Sequence, residues 1–127
     1  MFPDHDCPCG SGHPLAACCG RYLAGALPPD AEALMRSRYS AYVLGDEAYL
    51  LATWHPDTRP ASLDLDSEPP VKWLGLAVKR HEDEGEGRAV VEFVARYKIG
   101  GRAHRLLEAS HFVRELGRWW YVDGKCR

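Results

Sequence analysis

The chain has 127 residues, of which 46% are hydrophobic, and its formal net charge is −2. This length is enough for one compact domain with a small appendage, and it excludes a second full domain. The nearly balanced charge argues against generic nucleic-acid binding. No apolar stretch approaches the roughly 20 residues of a membrane-spanning helix, so we expect no membrane span.

Four of the five cysteines lie within the first 19 residues. They are Cys7, Cys9, Cys18 and Cys19. Four thiolates at tetrahedral corners are typical of a structural zinc ion, because this closed set leaves no position for a substrate. Gly10 and Gly12 allow the tight turn that directs backbone N–H groups toward thiolate sulfurs. The sequence therefore predicts one structural zinc ion bound by these four cysteines.

Two disulfides or four unrelated thiols are the main alternatives to a zinc site. Disulfides need an oxidising compartment, and residues 1–6 have neither the basic start nor the apolar run of a secretory signal. We therefore expect a cytoplasmic protein with reduced thiols. His5 or His13 is an alternative ligand in place of one thiol, and Cys126 is predicted to lie outside the site.

The first cysteine pair also belongs to a longer string, Cys7-Pro8-Cys9-Gly10-Ser11-Gly12, which Cys18-Cys19 follows after five residues. This arrangement resembles the SEC-C motif, named after the zinc-binding tail of the SecA protein-translocation ATPase. The resemblance implies zinc binding and a docking role toward a protein partner, such as the SecB chaperone in the SecA setting. A partner related to translocation or to the ribosome is the corresponding expectation for this chain.

Two helices are predicted after the cysteine-rich segment. Asp30 is a natural N-cap for a helix over residues 31–44, which Gly45 ends. Asp46 caps a second helix over residues 47–54, which His55-Pro56 terminates. On the first helix, Arg38 shares a face with apolar residues at helical spacing, so its side chain is predicted to be buried.

The second half of the chain reads as a sheet. A proline-rich loop with one helical turn at 61–65 precedes four segments that are rich in β-branched and aromatic residues. These predicted strands cover residues 71–81, 88–99, 103–115 and 118–122. Gly100-Gly101 suits a two-residue hairpin, which indicates an antiparallel meander. The predicted class is α+β: a zinc knuckle over residues 1–26, then helices packed on a curved antiparallel sheet over residues 27–127.

Two polar residues share the predicted inner face of one strand. Glu108 and Ser110 alternate with Leu106 and Phe112, which should point toward the helices. A buried carboxylate is costly without a partner, so we expect Arg38 to pair with Glu108. The pair either pins helix to sheet or lines a cavity, and the sequence leaves both readings open.

A second resemblance covers most of the chain. Four strings carry it: residues 33–42, residues 49–56, Glu108-Ala109-Ser110-His111-Phe112, and Trp119-Trp120-Tyr121-Val122-Asp123-Gly124. They resemble the YchJ-type family of bacterial proteins. That family is similar in fold to the nuclear transport factor 2 superfamily, which implies a cone-shaped domain with an enclosed pocket. The ligand-binding residues that the resemblance suggests are Arg38, Tyr42, Trp54, His55, Glu108 and Ser110.

Two classes of function follow. The first is a zinc-stabilised binding or adaptor protein, in which the knuckle docks a protein partner and the cone pocket takes a small-molecule ligand. The second is a pocket enzyme of the isomerase or dehydratase type, with Glu108 as acid or base and His55, His81 or His111 nearby. No residue is assigned a catalytic role from the sequence alone. A homodimer through the outer face of the sheet is a further expectation.

Overall fold

The computed structural model of the protein describes residues 6–65 and 69–126. A short 3-10 turn at Leu15–Ala17 leads into helix α1 (Cys19–Leu23), followed by α2 (Ala31–Leu44) and α3 (Glu47–Ala52). Four strands complete the chain: β1 (Val71–Gly85), β2 (Arg88–Ile99), β3 (Arg102–Glu115) and β4 (Arg118–Cys126). They form one antiparallel sheet in the order β1-β2-β3-β4, which confirms the predicted α+β fold.

Local capping explains the limits of α2. The Asp30 side chain accepts a hydrogen bond from the backbone N–H of Ala33 at 2.7 Å, and Gly45 ends the helix with a φ of 73°. Both features confirm the prediction, because an N-cap carboxylate and a left-handed glycine satisfy backbone groups at the two ends of a helix.

The end of α3 differs from the prediction. The helix stops at Ala52 rather than at Trp54, because the next residues pair with β4. Tyr121 donates its backbone N–H to Thr53 O at 2.9 Å, and His55 donates to Tyr121 O at 2.7 Å. The predicted helical turn at 61–65 is also wrong: no helix forms there, and the Leu63 N–H donates instead to Glu47 Oε2 at 3.4 Å.

Two strands are longer than the sequence predicts. β1 continues through the acidic segment to Gly85, and β4 continues to Cys126, because both gain cross-strand partners that a local reading does not reveal. The β1–β2 hairpin therefore turns at Glu86-Gly87, whose φ values are 55° and 72°. Gly100-Gly101 makes the predicted hairpin between β2 and β3, with φ values of 57° and 80°.

The main core lies between α2 and the inner face of the sheet. Its fully buried members come from α2, β2 and β3. They are Ala31, Leu34, Met35, Tyr39, Ala89, Val91, Phe93, Ala95 and Phe112. No helix among the described residues is long and apolar enough to cross a membrane.

The cysteine module (residues 6–26) packs on the other side of α2. Its own buried cluster is small, with Leu15 beside three cysteines, and Leu76 of β1 packs against both this cluster and the main core. Arg36 of α2 donates from Nη1 to Cys9 O at 2.9 Å. The Cys7 Sγ lies 3.6 Å from Ser40 Oγ of the same helix. Helix α2 is therefore a wall shared by the cysteine module and the α+β domain (residues 27–126).

Candidate metal centre and ligand cavity

The four N-terminal cysteines form one cluster. Their Sγ atoms all lie within 4.8 Å of one another, which is close enough to hold a metal ion. All four are free cysteines, so the structure does not contain the two disulfides that were the alternative. His13 is exposed and does not belong to the cluster, while His5 lies outside the described residues.

Backbone hydrogen bonds close the loop that carries the first cysteine pair. The Cys7 N–H donates to His13 O at 2.8 Å, and the Gly10 N–H donates to Cys7 O at 3.1 Å. These bonds fold residues 7–13 into a closed loop. Ser11 Oγ then lies 3.2 Å from Cys18 Sγ, so the serine hydroxyl can donate to a thiolate at that position. Such outer hydrogen bonds orient the ligands of a metal.

Gly20 is a structural requirement that the sequence reading missed. A Cβ at this position would lie 2.7 Å from the backbone oxygen of Leu15. Real Cβ atoms do not approach a backbone oxygen so closely, so an added side chain would force the backbone of Leu15 or Gly20 to move. The close contact between α1 and the preceding turn therefore depends on the absence of a side chain at Gly20.

Close contact between the thiols shifts the pKa values of Cys7 and Cys19 in opposite directions. Hydrogen bonds from Cys19 and Cys9 lower the pKa of the Cys7 thiol. The hydrogen bonds to Cys7 and Cys9, together with burial, raise the pKa of the Cys19 thiol. One thiolate forms readily in such a group and a second is disfavoured, because like charges in a buried site repel each other. A cation at the centre would remove this penalty and stabilise all four thiolates.

A second site lies on the opposite side of α2. A cavity of about 240 Å³ opens between this helix and the inner face of the sheet. Most of its walls are apolar or aromatic, and the polar exceptions come from α2 and β3. The lining consists of Met35, Arg38, Tyr39, Tyr42, Trp73, Phe93, Ala95, Leu106, Glu108, Ser110, Phe112 and Tyr121.

Arg38 is buried beside this cavity, with a relative exposure of 5%. Its Nη1 donates to Leu50 O and to Thr53 Oγ1, both at 2.7 Å, and these contacts tie α2 to the end of α3. Its guanidinium carbon lies 4.2 Å from the ring centre of Tyr121 and 5.0 Å from that of Trp54. Such cation–π contacts hold the guanidinium plane in place.

The expected ion pair between Arg38 and Glu108 does not form. Both residues line the cavity, but no nitrogen of Arg38 lies within 4.0 Å of the Glu108 carboxylate among the described contacts. The prediction was wrong because Arg38 donates instead to Leu50 O in α3 and to Thr53 Oγ1, directly after that helix. Burial lowers the pKa of Arg38, since the charged guanidinium loses water there.

A hydrogen bond within strand β3 holds the Glu108 carboxylate in place. Ser110 donates from Oγ to Glu108 Oε2 at 2.7 Å, along the same face of β3. A Cβ at Gly124 of β4 would overlap the Glu108 carboxylate, so that glycine provides the space in which the carboxylate lies. Gly124 is thus a second residue whose role the sequence reading missed, although it ends one of the resemblance strings.

Two tyrosines complete the polar part of the cavity. Burial raises the pKa values of Tyr42 and Tyr121, and the nearby Glu108 carboxylate contributes to both shifts. Neither hydroxyl makes a hydrogen bond to a described residue. Both hydroxyls are accessible to solvent, whereas Trp54 Nε1 is buried without a hydrogen-bond partner among the described residues. Both hydroxyls are therefore available to a molecule in the cavity.

The structure brings together four of the six residues that were predicted to bind a ligand. Arg38, Tyr42, Glu108 and Ser110 line the cavity. Trp54 lies behind Arg38, where it contacts the guanidinium and Tyr121.

His55 is not part of this group, because its Nε2 lies 2.9 Å from Glu115 Oε1 outside the cavity. No histidine in residues 6–65 or 69–126 lines the cavity: His81 lies near Glu32, and His111 pairs with Asp123. The structure thus separates the carboxylate from the histidines that were considered beside it.

Comparison with known proteins agrees with both parts of the fold. Residues 30–124 match the family model described as "YchJ, middle NTF2-like domain", and residues 6–21 match the SEC-C motif. A UPF0225 protein of Chromobacterium violaceum is 63% identical over 123 residues, covering 93% of this chain and 90% of the relative. A UPF0225 protein of Xanthomonas oryzae is 55% identical over 125 residues, covering 98% and 97%.

Two solved structures are similar along nearly the whole chain. One is the solution structure of a SEC-C motif containing protein from Rhodopseudomonas palustris, with a TM-score of 0.85 and 35% identity, covering 97% of this chain and 99% of that one. The other is the crystal structure of a SEC-C motif containing protein from Psychrobacter arcticus, with a TM-score of 0.79 and 28% identity, covering 96% and 82%.

Proposed function

This chain belongs to the UPF0225 family and joins a SEC-C motif to a YchJ-type domain, and we propose that it is a zinc-stabilised protein that binds a small molecule in its cavity. The observation that carries the proposal is the state of Arg38. Its Nη1 is used by the fold, whereas Nε and Nη2 make no hydrogen bond to a described residue and are not sealed from solvent. Arg38 therefore presents unused donors at a cavity wall.

A purely structural role would not leave those donors unused. Burying a guanidinium without a counter-ion costs several kcal/mol, and fold-stabilising arginines usually recover this cost through paired carboxylates. Here an acidic residue, Glu108, lines the same cavity and accepts a separate hydrogen bond from Ser110. Two opposite charges that line one cavity without forming an ion pair are more typical of a binding site than of a contact that only joins a helix to a sheet.

The cysteine cluster supports the zinc half of the proposal. Thiolate ligands favour soft or borderline metals, and four of them in a closed set are typical of structural zinc. The cluster contacts α2 through Cys7 and Cys9, and none of its four cysteines lines the cavity. We therefore assign the metal to stability rather than to chemistry on a substrate.

The acid–base alternative has less support. The histidines that were expected to assist Glu108 do not line the cavity among the described residues. Glu108 also accepts a hydrogen bond from Ser110, which suits a carboxylate that holds a ligand in place.

Filling the cavity tests the proposal directly. Ala95 is a buried wall residue, so Ala95→Leu should occupy the space, whereas Ala77→Leu adds the same atoms at an exposed position of β1. We expect indole, an apolar aromatic probe, to bind the wild type and Ala77→Leu but not Ala95→Leu in ligand-observed NMR.

Leu106→Trp at the half-buried wall is a second filling variant, should Ala95→Leu fail to fold. Circular dichroism checks the fold of each variant. Equal indole binding by the wild type and a folded filling variant would contradict a cavity site. Native mass spectra of the same samples should show one zinc ion per chain in each.

A further inference from the structure

The polar groups around the cavity define the chemistry of its ligand, and this inference rests on the proposed function. We propose that the cavity binds a small zwitterion with an apolar side chain, of the free apolar α-amino acid class. In this arrangement the carboxylate of the ligand contacts Arg38, and its ammonium group contacts Glu108.

Arg38 provides the site for the carboxylate. Leu50 O and Thr53 Oγ1 hold Nη1 in place, and Nε and Nη2 remain as two donors without a hydrogen-bond partner among the described residues. Two parallel N–H donors match the two oxygens of a carboxylate. The low exposure of Arg38 strengthens this contact, because water competes less for both partners.

Glu108 provides the site for the ammonium group. Ser110 occupies Oε2, and Oε1 makes no hydrogen bond to a described residue. The phenol groups of Tyr42 and Tyr121 line the same cavity, and Glu108 influences the pKa of both. A carboxylate together with aromatic rings is a favourable environment for an ammonium ion, through charge attraction and cation–π contacts.

The two charges together exclude ligands of a single sign. An anion without an ammonium group would meet Arg38 but would also lie near the carboxylate of Glu108. A cation without a carboxylate would contact Glu108 but would also lie near the positive charge of Arg38. Like-charge proximity in a poorly hydrated site is a strong source of selectivity. A zwitterion satisfies both groups at once.

The remaining walls define the rest of the molecule. Met35, Phe93, Leu106 and Phe112 form apolar surface, which favours a hydrocarbon or aromatic side chain. The volume of about 240 Å³ equals that of about eight water molecules at roughly 30 Å³ each. This space suits a single amino acid.

Three matched probes test the assignment by calorimetry. L-phenylalanine carries both charges, phenethylamine lacks the carboxylate, and 3-phenylpropionate lacks the ammonium group. We expect phenylalanine to bind at least about ten-fold more tightly than either truncated probe, because each loses one charged hydrogen-bond contact. L-leucine is included so that the result does not depend on the shape of one ring.

Glu108→Gln separates the two ends of the ligand while preserving the size of the side chain. It should weaken phenylalanine and phenethylamine about ten-fold and leave 3-phenylpropionate unchanged or tighter. Glu115→Gln is the control, since it removes a carboxylate from the same strand outside the cavity and should alter none of the affinities. Arg38→Lys keeps the charge but loses the paired donors Nε and Nη2. It should weaken the binding of phenylalanine and of 3-phenylpropionate.

The outcomes distinguish this inference from the proposed function. If 3-phenylpropionate or phenethylamine binds as tightly as both amino acids, or if Glu108→Gln changes nothing, the zwitterion assignment is wrong. It is also wrong if neither amino acid binds, but indole binding that Ala95→Leu abolishes would then still support a small-molecule cavity. If indole and all four charged probes fail to bind the wild type, both the assignment and the proposed function fall.

Discussion

The two sides of helix α2 are stabilised by different forces. On one side, the cysteine module has a buried cluster of three cysteines and Leu15. On the other side, the α+β domain has a continuous core of aliphatic and aromatic side chains. A segment with so little apolar surface cannot offset the loss of chain entropy by hydrophobic burial alone, and under our proposal metal coordination takes that role.

Two arginines on α2 differ in the same way in their contacts and their burial. Arg36 faces the cysteine module, where it bonds to Cys9 O and to Glu32, and it remains partly exposed. Arg38, two residues later, is buried beside the cavity. Arg36 therefore binds the cysteine module to one side of the helix. On the other side, Arg38 lines the cavity with donors that no described residue uses. Burial and unused donors, rather than residue type, are therefore our reasons for proposing Arg38 and not Arg36 as the ligand-binding arginine.

The largest effect is expected from removing one metal ligand. Cys9→Ser should abolish zinc binding and unfold the cysteine module, because coordination contributes on the order of 10 kcal/mol to modules of this kind. The α+β domain should remain folded, since its core does not include the cluster. Zinc content by native mass spectrometry and near-ultraviolet circular dichroism measure the two effects. Cys126→Ser is the control and should retain one zinc ion.

The two arginines should differ in their contribution to stability. Arg38→Met leaves Leu50 O and Thr53 Oγ1 without their charged donor, so it should lower the free energy of unfolding by about 3 kcal/mol. Arg36→Met should lower it by about 1 kcal/mol, because its contacts are partly exposed. Urea denaturation of both variants measures the difference. Equal losses would contradict the contrast between the two sides of α2.

Glycine substitutions sharpen the comparison within each region. Gly20→Ala would stabilise an ordinary helix, but here the added Cβ meets Leu15 O, so we expect a loss of about 2 kcal/mol in the cysteine module. Gly124→Ala should cost a similar amount in the domain, because its Cβ meets the Glu108 side chain as far back as Cγ and would move the carboxylate that accepts the hydrogen bond from Ser110.

Gly75→Ala is the matched control for both variants. Its Cβ meets only the flexible end of Arg96, so its effect should be small. Thermal denaturation of the three proteins gives the ranking. A stabilising Gly20→Ala variant would mean that α1 does not pack as described.

Alkaline pH should weaken the domain through its buried tyrosines. Burial raises the pKa of Tyr49 to about 12, against about 10 in an unfolded chain. Between these values the folded state keeps a proton that the unfolded state has lost, so stability present below pH 10 is lost as the pH approaches 12. We expect about 1 kcal/mol from this group after allowance for its partial exposure.

Tyr49→Phe tests this contribution, since it removes the titrating group and also its 2.6 Å contact with Ser37. The variant should be less stable at neutral pH and should lose less stability than the wild type between pH 10 and 12. Urea midpoints at several pH values measure the slope. An unchanged slope would show that Tyr49 does not contribute to the alkaline loss.

Short-range signals in the sequence predicted much of this structure. The caps Asp30 and Asp46, the stop at Gly45 and the Gly100-Gly101 hairpin act within a few residues, so they can be recognised without tertiary information. The spacing of the four cysteines predicted their cluster for the same reason. The burial of Arg38 also followed from helical spacing.

Features that depend on distant partners were not predicted correctly. The acceptors of Arg38 lie 12 and 15 residues away at the end of α3, and their position is set when Thr53 and His55 pair with Tyr121 of β4. The same pairing removes His55 from the cavity. The roles of Gly20 and Gly124 depend on what a missing side chain would touch, which only the folded chain reveals.

Hydrogen–deuterium exchange of the wild-type protein, with zinc and after chelation, tests most directly whether two different forces hold the two sides of α2. We predict that chelation removes protection over residues 6–26, while strands β2 and β3 keep theirs, because the core of the domain does not depend on the metal. Loss of protection in both regions together, or retained protection in the cysteine module without metal, would contradict this account.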